Sequence, residues 1–279
     1  MALCIGHIAY ANCVPFFHYL RQSGFNGEIR SGVPSELNAL LAAGEIDLAP
    51  SSSFEYARNA EEYLLLPGHS ISSCGPVQSV LLFSPLSLDE LGSAPIDLTL
   101  ESATSVNLLK VLLAEFLAAD PGCCRPAQQT AESIAVSGGS VLMIGDRALR
   151  TAQQLQGKTH IYDLGELWWH YTGLPFVFAL WIVRASSAAS QTAALHELQI
   201  ELGAARSRAF ADLPLVAAQS PEREWMGEDA LLAYWRCMSY DLTDQHLAGL
   251  QLYFRLCVKY GLLKEEPLLR FVPGAAVPA

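Results

Sequence analysis

The chain has 279 residues, of which 51% are hydrophobic and 16% charged, so it is too apolar to stay disordered and long enough for one large or two medium domains. Its 17 Lys and Arg against 28 Asp and Glu give a formal net charge of −11, which disfavours nucleic acid or an anionic membrane surface as a partner. The longest nearly unbroken apolar run, 174–183, is about half of the roughly 20 residues that a membrane-spanning helix needs and contains Pro175, so no span is expected.

In chain order, hydrophobic periodicity and breaker residues predict a strand over 3–8, a helix over 14–21, a strand over 28–31 and a helix from Pro34 to its stop at Gly44. A strand over 46–49 and a short helix over 54–59 follow, then apolar runs at 63–66 and 77–84. This alternation is the signature of a parallel α/β sheet. The pattern restarts with a strand over 96–100, an amphipathic helix over 104–117 and strands over 140–144, 160–163 and 176–184. Beyond residue 189 the chain reads as helical, over 190–211, 222–238 and 244–260, with Ser220-Pro221-Glu222 as a helix-start signal.

One α/β unit, a second α/β unit and a helical return imply two lobes, with residues 85–178 inserted between 1–84 and 179–279. The long apolar segments 77–84 and 176–184 are the expected crossings. Ligands of open α/β sheets sit beyond the carboxyl ends of the parallel strands, which directs attention to the loops there.

The usual catalytic signatures GxSxG, HExxH and GxGxxG are absent. Gly157-Lys158-Thr159 resembles the end of a phosphate loop, but Ala152 stands where its first glycine belongs, so it reads as a turn. The seven histidines have no ligand spacing, and only His7, ahead of the first loop, merits attention. The seven cysteines (Cys4, Cys13, Cys74, Cys123, Cys124, Cys237, Cys257) form an odd, irregular set that reads as reduced thiols. The amino terminus MALCIGH has no charged segment leading into an apolar stretch, so a cytoplasmic location is expected.

What remains is a set of small polar groups at strand ends. Asn12 precedes a helix and could cap it or orient a ligand. Of Ser51, Ser52 and Ser53, one suffices to cap the next helix. Ser79 follows the Gly75-Pro76 turn and could face core or cleft. Ser102, Thr104 and Ser105 stand at a helix start, where free N–H groups and hydroxyls bind a carboxylate without any Lys or Arg. Gly145 would let a ligand approach the backbone, and Asp146 could cap a helix or touch the ligand. The aromatic-rich stretch 168–178 reads as hinge packing.

Six segments in this order, IGHIAYANCVPF, GVPSELNALLAAGEIDLAPSSSFEYARN, SCGPVQSVLLFS, TLESATSVNLL, LMIGDRAL and YDLGELWWHYTGLPFVFALW, resemble the chorismate dehydratases of the futalosine route to menaquinone. The resemblance implies a two-lobed type II periplasmic-binding-protein fold with a central cleft. It also implies dehydration of chorismate, a dicarboxylate, to 3-[(1-carboxyvinyl)oxy]benzoate without metal or organic cofactor. The family's functional Asn and Ser fall on Asn12 and Ser79. Neither is a competent general base at neutral pH, which leaves the substrate's own enolpyruvyl carboxylate to accept the proton. Ser102, Thr104 and Ser105 are the expected carboxylate site, with Ser51, Ser52, Gly145 and Asp146 as further contacts. The rival readings are the dihydroxynaphthoate synthase of the same route and a non-catalytic protein that binds a small carboxylate. The sequence leaves the oligomeric state open.

Overall fold

The computed structural model describes residues 2–274. Among these residues, eleven strands form two sheets: β1 (Cys4–Ile8), β2 (Glu28–Gly32), β3 (Leu48–Ser52), β4 (Tyr63–Ser73), β5 (Val80–Ser84), β6 (Ile96–Leu98), β7 (Cys124–Pro126), β8 (Ser140–Ile144), β9 (His160–Asp163), β10 (Phe176–Arg184) and β11 (Met238–Ser239). The first sheet runs β11-β4-β10-β3-β1-β2 and the second β7-β6-β8-β5-β9. Strand β1 pairs parallel with β2 and β3, and β6 pairs parallel with β7 and β8. The strands nearest the crossings run antiparallel: β10 against β3 and β4, and β5 against β8 and β9.

Both long apolar strands are buried along almost their whole length, as strands covered on both faces must be. Trp181, at the centre of β10 and fully buried, anchors the first core, with Phe16 edge-on at 5.4 Å.

The expected lobe boundaries need correction. Val80–Ser84 pairs within the second sheet, not the first, and Phe176–Phe178 belongs to the first. The chain therefore changes sheet at 74–79 and at 173–175. A continuously apolar strand carries no mark of which sheet receives it; the turn residues beside it mark the crossing. Strand β4 also runs seven residues past the apolar segment 63–66, because Pro67-Gly68 makes an irregularity and not an end. The register against β10 shifts there, and Gly68 takes φ +83°.

The expected strand over 46–49 is displaced to Leu48–Ser52, and the helix from 14 ends as an α-helix at Phe17. In the tail, the expected helix over 222–238 is divided at Gly227, whose φ of +84° separates Arg223–Met226 from Glu228–Cys237. The latter helix contributes Tyr234 and Trp235 to the floor between the sheets, where both are buried. Just before it, Trp225 stacks under the Arg150 guanidinium of the second lobe at 4.2 Å. No helix among the described residues is long and apolar enough to cross a membrane.

Candidate functional site

Between the two sheets lies a partly open cavity lined by residues of both lobes. Asn12, Ser52, Ser79, Ser102, Ser105 and Gly145 line it; Ser51, Thr104 and Asp146 do not.

Asn12 lies in the 3-10 turn Ala11–Cys13 that follows β1, and it makes no helix cap. Its amide oxygen is buried without a hydrogen-bond partner. Leaving such an acceptor unpaired costs free energy, so a donor from a ligand fits it. The turn itself is clamped. Ala11 N–H donates to Asp146 Oδ1 at 3.0 Å, and the Trp235 indole N–H donates to the Ala11 carbonyl at 2.8 Å. Asp146, expected as a ligand contact, thus reaches across the cleft to hold the backbone beside Asn12; burial raises its carboxyl above the usual range. Cys13 packs beneath the turn, fully buried, and burial pushes its thiol far up.

Ser79 stands at the first crossing, one residue before β5. The preceding Gln78 has φ +59°, a strained value for a residue with a side chain. Asp163 holds it there: its carboxylate accepts the N–H groups of Val77 and Gln78 and, from the start of the next helix, those of Gly165 and Glu166. The Ser79 carbonyl accepts Gly145 N–H at 2.8 Å, so these two cavity residues are tied through the backbone. Behind Ser79, the Tyr234 hydroxyl donates to Ser79 Oγ at 2.9 Å.

The start of the helix Ala103–Glu115 is partly occupied by the protein's own groups. Ser102 Oγ accepts from both Ser105 N–H (3.2 Å) and Ser105 Oγ–H (3.1 Å). With both acceptor sites used, its own proton is left for the cavity. Thr104, expected to bind the substrate, is wholly buried and pins one lobe to the other. Its Oγ1 accepts Phe54 N–H at 2.9 Å and bonds Ser52 Oγ, while its N–H donates to Ser52 Oγ at 3.2 Å. The helix Ser53–Arg58, for which a cap from its own serines was expected, has none; Thr104 supplies the acceptor from the other lobe. Strand alternation explains Ser51: Ser52 faces the cavity, so its neighbour faces away, and Ser51 is fully buried with its hydroxyl unpaired. Thr104→Val keeps the shape and removes the acceptor, so it should lower stability by about 1–3 kcal/mol, read as a reduced urea midpoint at unchanged m-value.

The rest of the wall is apolar, with Ile8, Ile71, Val80, Ile144 and Phe178 enclosing the polar groups. Neither Lys nor Arg is among the described lining residues. Outside the wall, the Arg147 guanidinium is paired with carboxylates: it bonds Glu101 at 2.8 Å and Glu132 at 2.6 Å, and Glu101 in turn accepts from Tyr10 OH at 3.3 Å. An anion in this cavity is therefore met by hydroxyl and amide dipoles. His7 is not in the wall. It packs on Phe17 at 4.0 Å, and burial lowers its imidazole to about 4, so it is neutral at physiological pH.

Sequence reasoning passed over Tyr10, Phe178, Tyr234 and Trp235. The first two stand inside segments already singled out. The last two follow Leu231 at helical spacing on a buried face, a pattern that signals packing and says nothing of a hydrogen bond at its end.

A family model described as menaquinone biosynthesis matches residues 3–259. A chorismate dehydratase of Thermus thermophilus is 38% identical over 194 residues, 64% of this chain and 69% of the relative. One from Campylobacter jejuni is 33% identical over 183 residues, 63% of this chain and 66% of the relative. Among solved structures, the periplasmic aliphatic sulphonate binding protein of Escherichia coli superposes with a TM-score of 0.68 at 15% identity, covering 100% of this chain and 96% of that one. The fold is thus of the two-lobed periplasmic-binding-protein type.

Proposed function

Because the chain belongs to the menaquinone biosynthesis family, we propose that it is a hydro-lyase that removes water from chorismate to give 3-[(1-carboxyvinyl)oxy]benzoate. The relatives from Thermus thermophilus and Campylobacter jejuni bear the name of that activity. The observation that carries the reading is the unpartnered amide oxygen of Asn12, sharing one largely apolar cavity with the Ser79 hydroxyl.

The reaction breaks two bonds. A proton leaves the ring carbon that bears the enolpyruvyl ether, and the hydroxyl on the neighbouring carbon departs as water while the ring becomes aromatic. No Asp, Glu, His or Lys is among the described lining residues, so the wall offers no conventional base. The substrate's enolpyruvyl carboxylate takes the proton, which then leaves with the departing hydroxide; the step balances with no protein group changing its charge. Asn12 accepts from the leaving hydroxyl and orients it, while Ser79 donates to its oxygen. Ser102 donates to a carboxylate, and the apolar wall excludes water, which strengthens each of these dipoles.

The test is purified protein with chorismate and a metal chelator, following product mass and aromatic absorbance. Loss of one water per chorismate is the expected result. Binding without turnover would overturn the reading in favour of a carrier, the alternative suggested by the likeness to sulphonate-binding proteins.

A further inference from the structure

We infer that Tyr234 is a positioning residue for Ser79: its hydroxyl, donating to Ser79 Oγ from behind the cavity, turns the Ser79 proton toward the oxygen that leaves. The inference rests on the proposed dehydration and adds a residue from the helical tail to its machinery.

A serine hydroxyl has one proton and two acceptor sites, so which way it serves a ligand depends on its other partners. At Ser79 the partners are two. Tyr234 OH lies at 2.9 Å, and the Val77 carbonyl lies at 3.3 Å, a long contact within the same turn. Tyr234 is 1% exposed and Ser79 2%, so no bulk water competes for either. Among the described residues, Ser79 is the one side-chain partner of the Tyr234 hydroxyl. A phenol donates far more readily than it gives up its proton, and burial pushes this one further into its neutral form. Tyr234 therefore occupies an acceptor site of Ser79 permanently. The Ser79 proton has only the distant Val77 carbonyl until a ligand oxygen enters, and that oxygen is the better acceptor. Donation from Tyr234 also polarises the Ser79 O–H bond, since hydrogen bonds in a chain strengthen one another.

The same helix turn fixes the opposite partner. Trp235, the next residue, holds the Ala11 carbonyl beside Asn12, so the helix Glu228–Cys237 sets the spacing of Asn12 and Ser79 at two adjacent positions.

Steady-state kinetics on wild type, Tyr234→Phe, Ser79→Ala and the double variant test this. Tyr234→Phe keeps the ring and removes the donor. Its kcat should fall about 10- to 100-fold, with KM for chorismate changed less than about threefold, as expected for a hydrogen bond that matters at bond breaking. In the Ser79→Ala background the same change should alter kcat less than about twofold, because the group it positions is gone. A purely structural tyrosine would show an equal effect in both backgrounds, and that result overturns the inference, as does a Tyr234→Phe kcat within about twofold of wild type. Incorporation of 3-fluorotyrosine at 234, a stronger donor of nearly unchanged shape, reads the same bond without risk to folding: kcat should rise, and an unchanged value overturns the inference. Wild-type protein that leaves chorismate intact overturns the proposed function and this inference together. Wild-type turnover with an indifferent Tyr234 overturns this inference alone.

Discussion

Asn12→Ala is expected to lower kcat on chorismate by about 10²–10³-fold while the protein folds normally. The side chain makes no hydrogen bond that the fold depends on. Its amide oxygen is unpaired, and the turn that carries it is held by backbone bonds to Asp146 and Trp235, which alanine at 12 retains. Removing the amide therefore deletes a contact realised only with a ligand, the circumstance in which a loss falls on turnover and not on stability. Asn12→Asp separates two chemistries. If the substrate supplies its own base, a new carboxylate beside a dicarboxylate adds repulsion, and the rate should fall at least as far as with alanine. If instead the enzyme lacks only a base, the aspartate should restore part of the rate, with activity rising as pH passes its pKa. Recovery above the alanine variant would overturn the substrate-assisted step; product formation followed by mass and absorbance decides it.

The ease with which sequence exposes each part of this site follows from the range of the interaction involved. Strand ends and helix starts are local, so turn and cap chemistry marks Asn12, Ser79, Ser102 and Gly145 as candidates, while it leaves Asn12 and Ser79 open between packing and ligand, and only the family resemblance gives those two a role. Which face a residue takes is nearly local: alternation along β3 separates Ser52 from Ser51 once the strand's phase is known, and the two-residue displacement of that strand hid it. What a polar side chain bonds to across 50 or 150 positions is not local. Thr104 reads as a ligand group at a helix start, yet its partners are Ser52 and Phe54 in the other lobe. Asp146 reads as a cap or contact, yet its partner is Ala11. The tail shows the limit most clearly, since Tyr234 and Trp235 look like core stripe residues and each ends in a hydrogen bond at the site. The transfer of Val80–Ser84 to the second sheet has the same origin, because strand pairing is decided by where the turns deliver the chain and not by the composition of the strand.

Gly145→Ala should raise KM about tenfold and lower stability by about 1–3 kcal/mol, with a smaller effect on kcat. Gly145 takes φ +64°, the left-handed region where a Cβ meets its own backbone. A Cβ there would also lie 2.9 Å from Tyr10 Cε2, 3.0 Å from Cζ and 3.1 Å from Cδ2, closer than a methyl group and a ring tolerate. The ring must move, and it lines the cavity while its hydroxyl reaches Glu101 on the far lip. Ground-state fit of the substrate suffers first, since tenfold corresponds to only about 1.4 kcal/mol. The backbone bond from Gly145 N–H to the Ser79 carbonyl survives the change, which leaves Ser79 in place and kcat less affected. The two costs can be separated with Tyr10→Ala. In that background the steric part disappears and only the backbone strain of Gly145→Ala persists, so its effect on KM should shrink to about twofold while most of the stability loss stays. An undiminished KM effect would mean that Gly145 serves the ligand directly, through close approach to the backbone, and that the Tyr10 ring is a bystander.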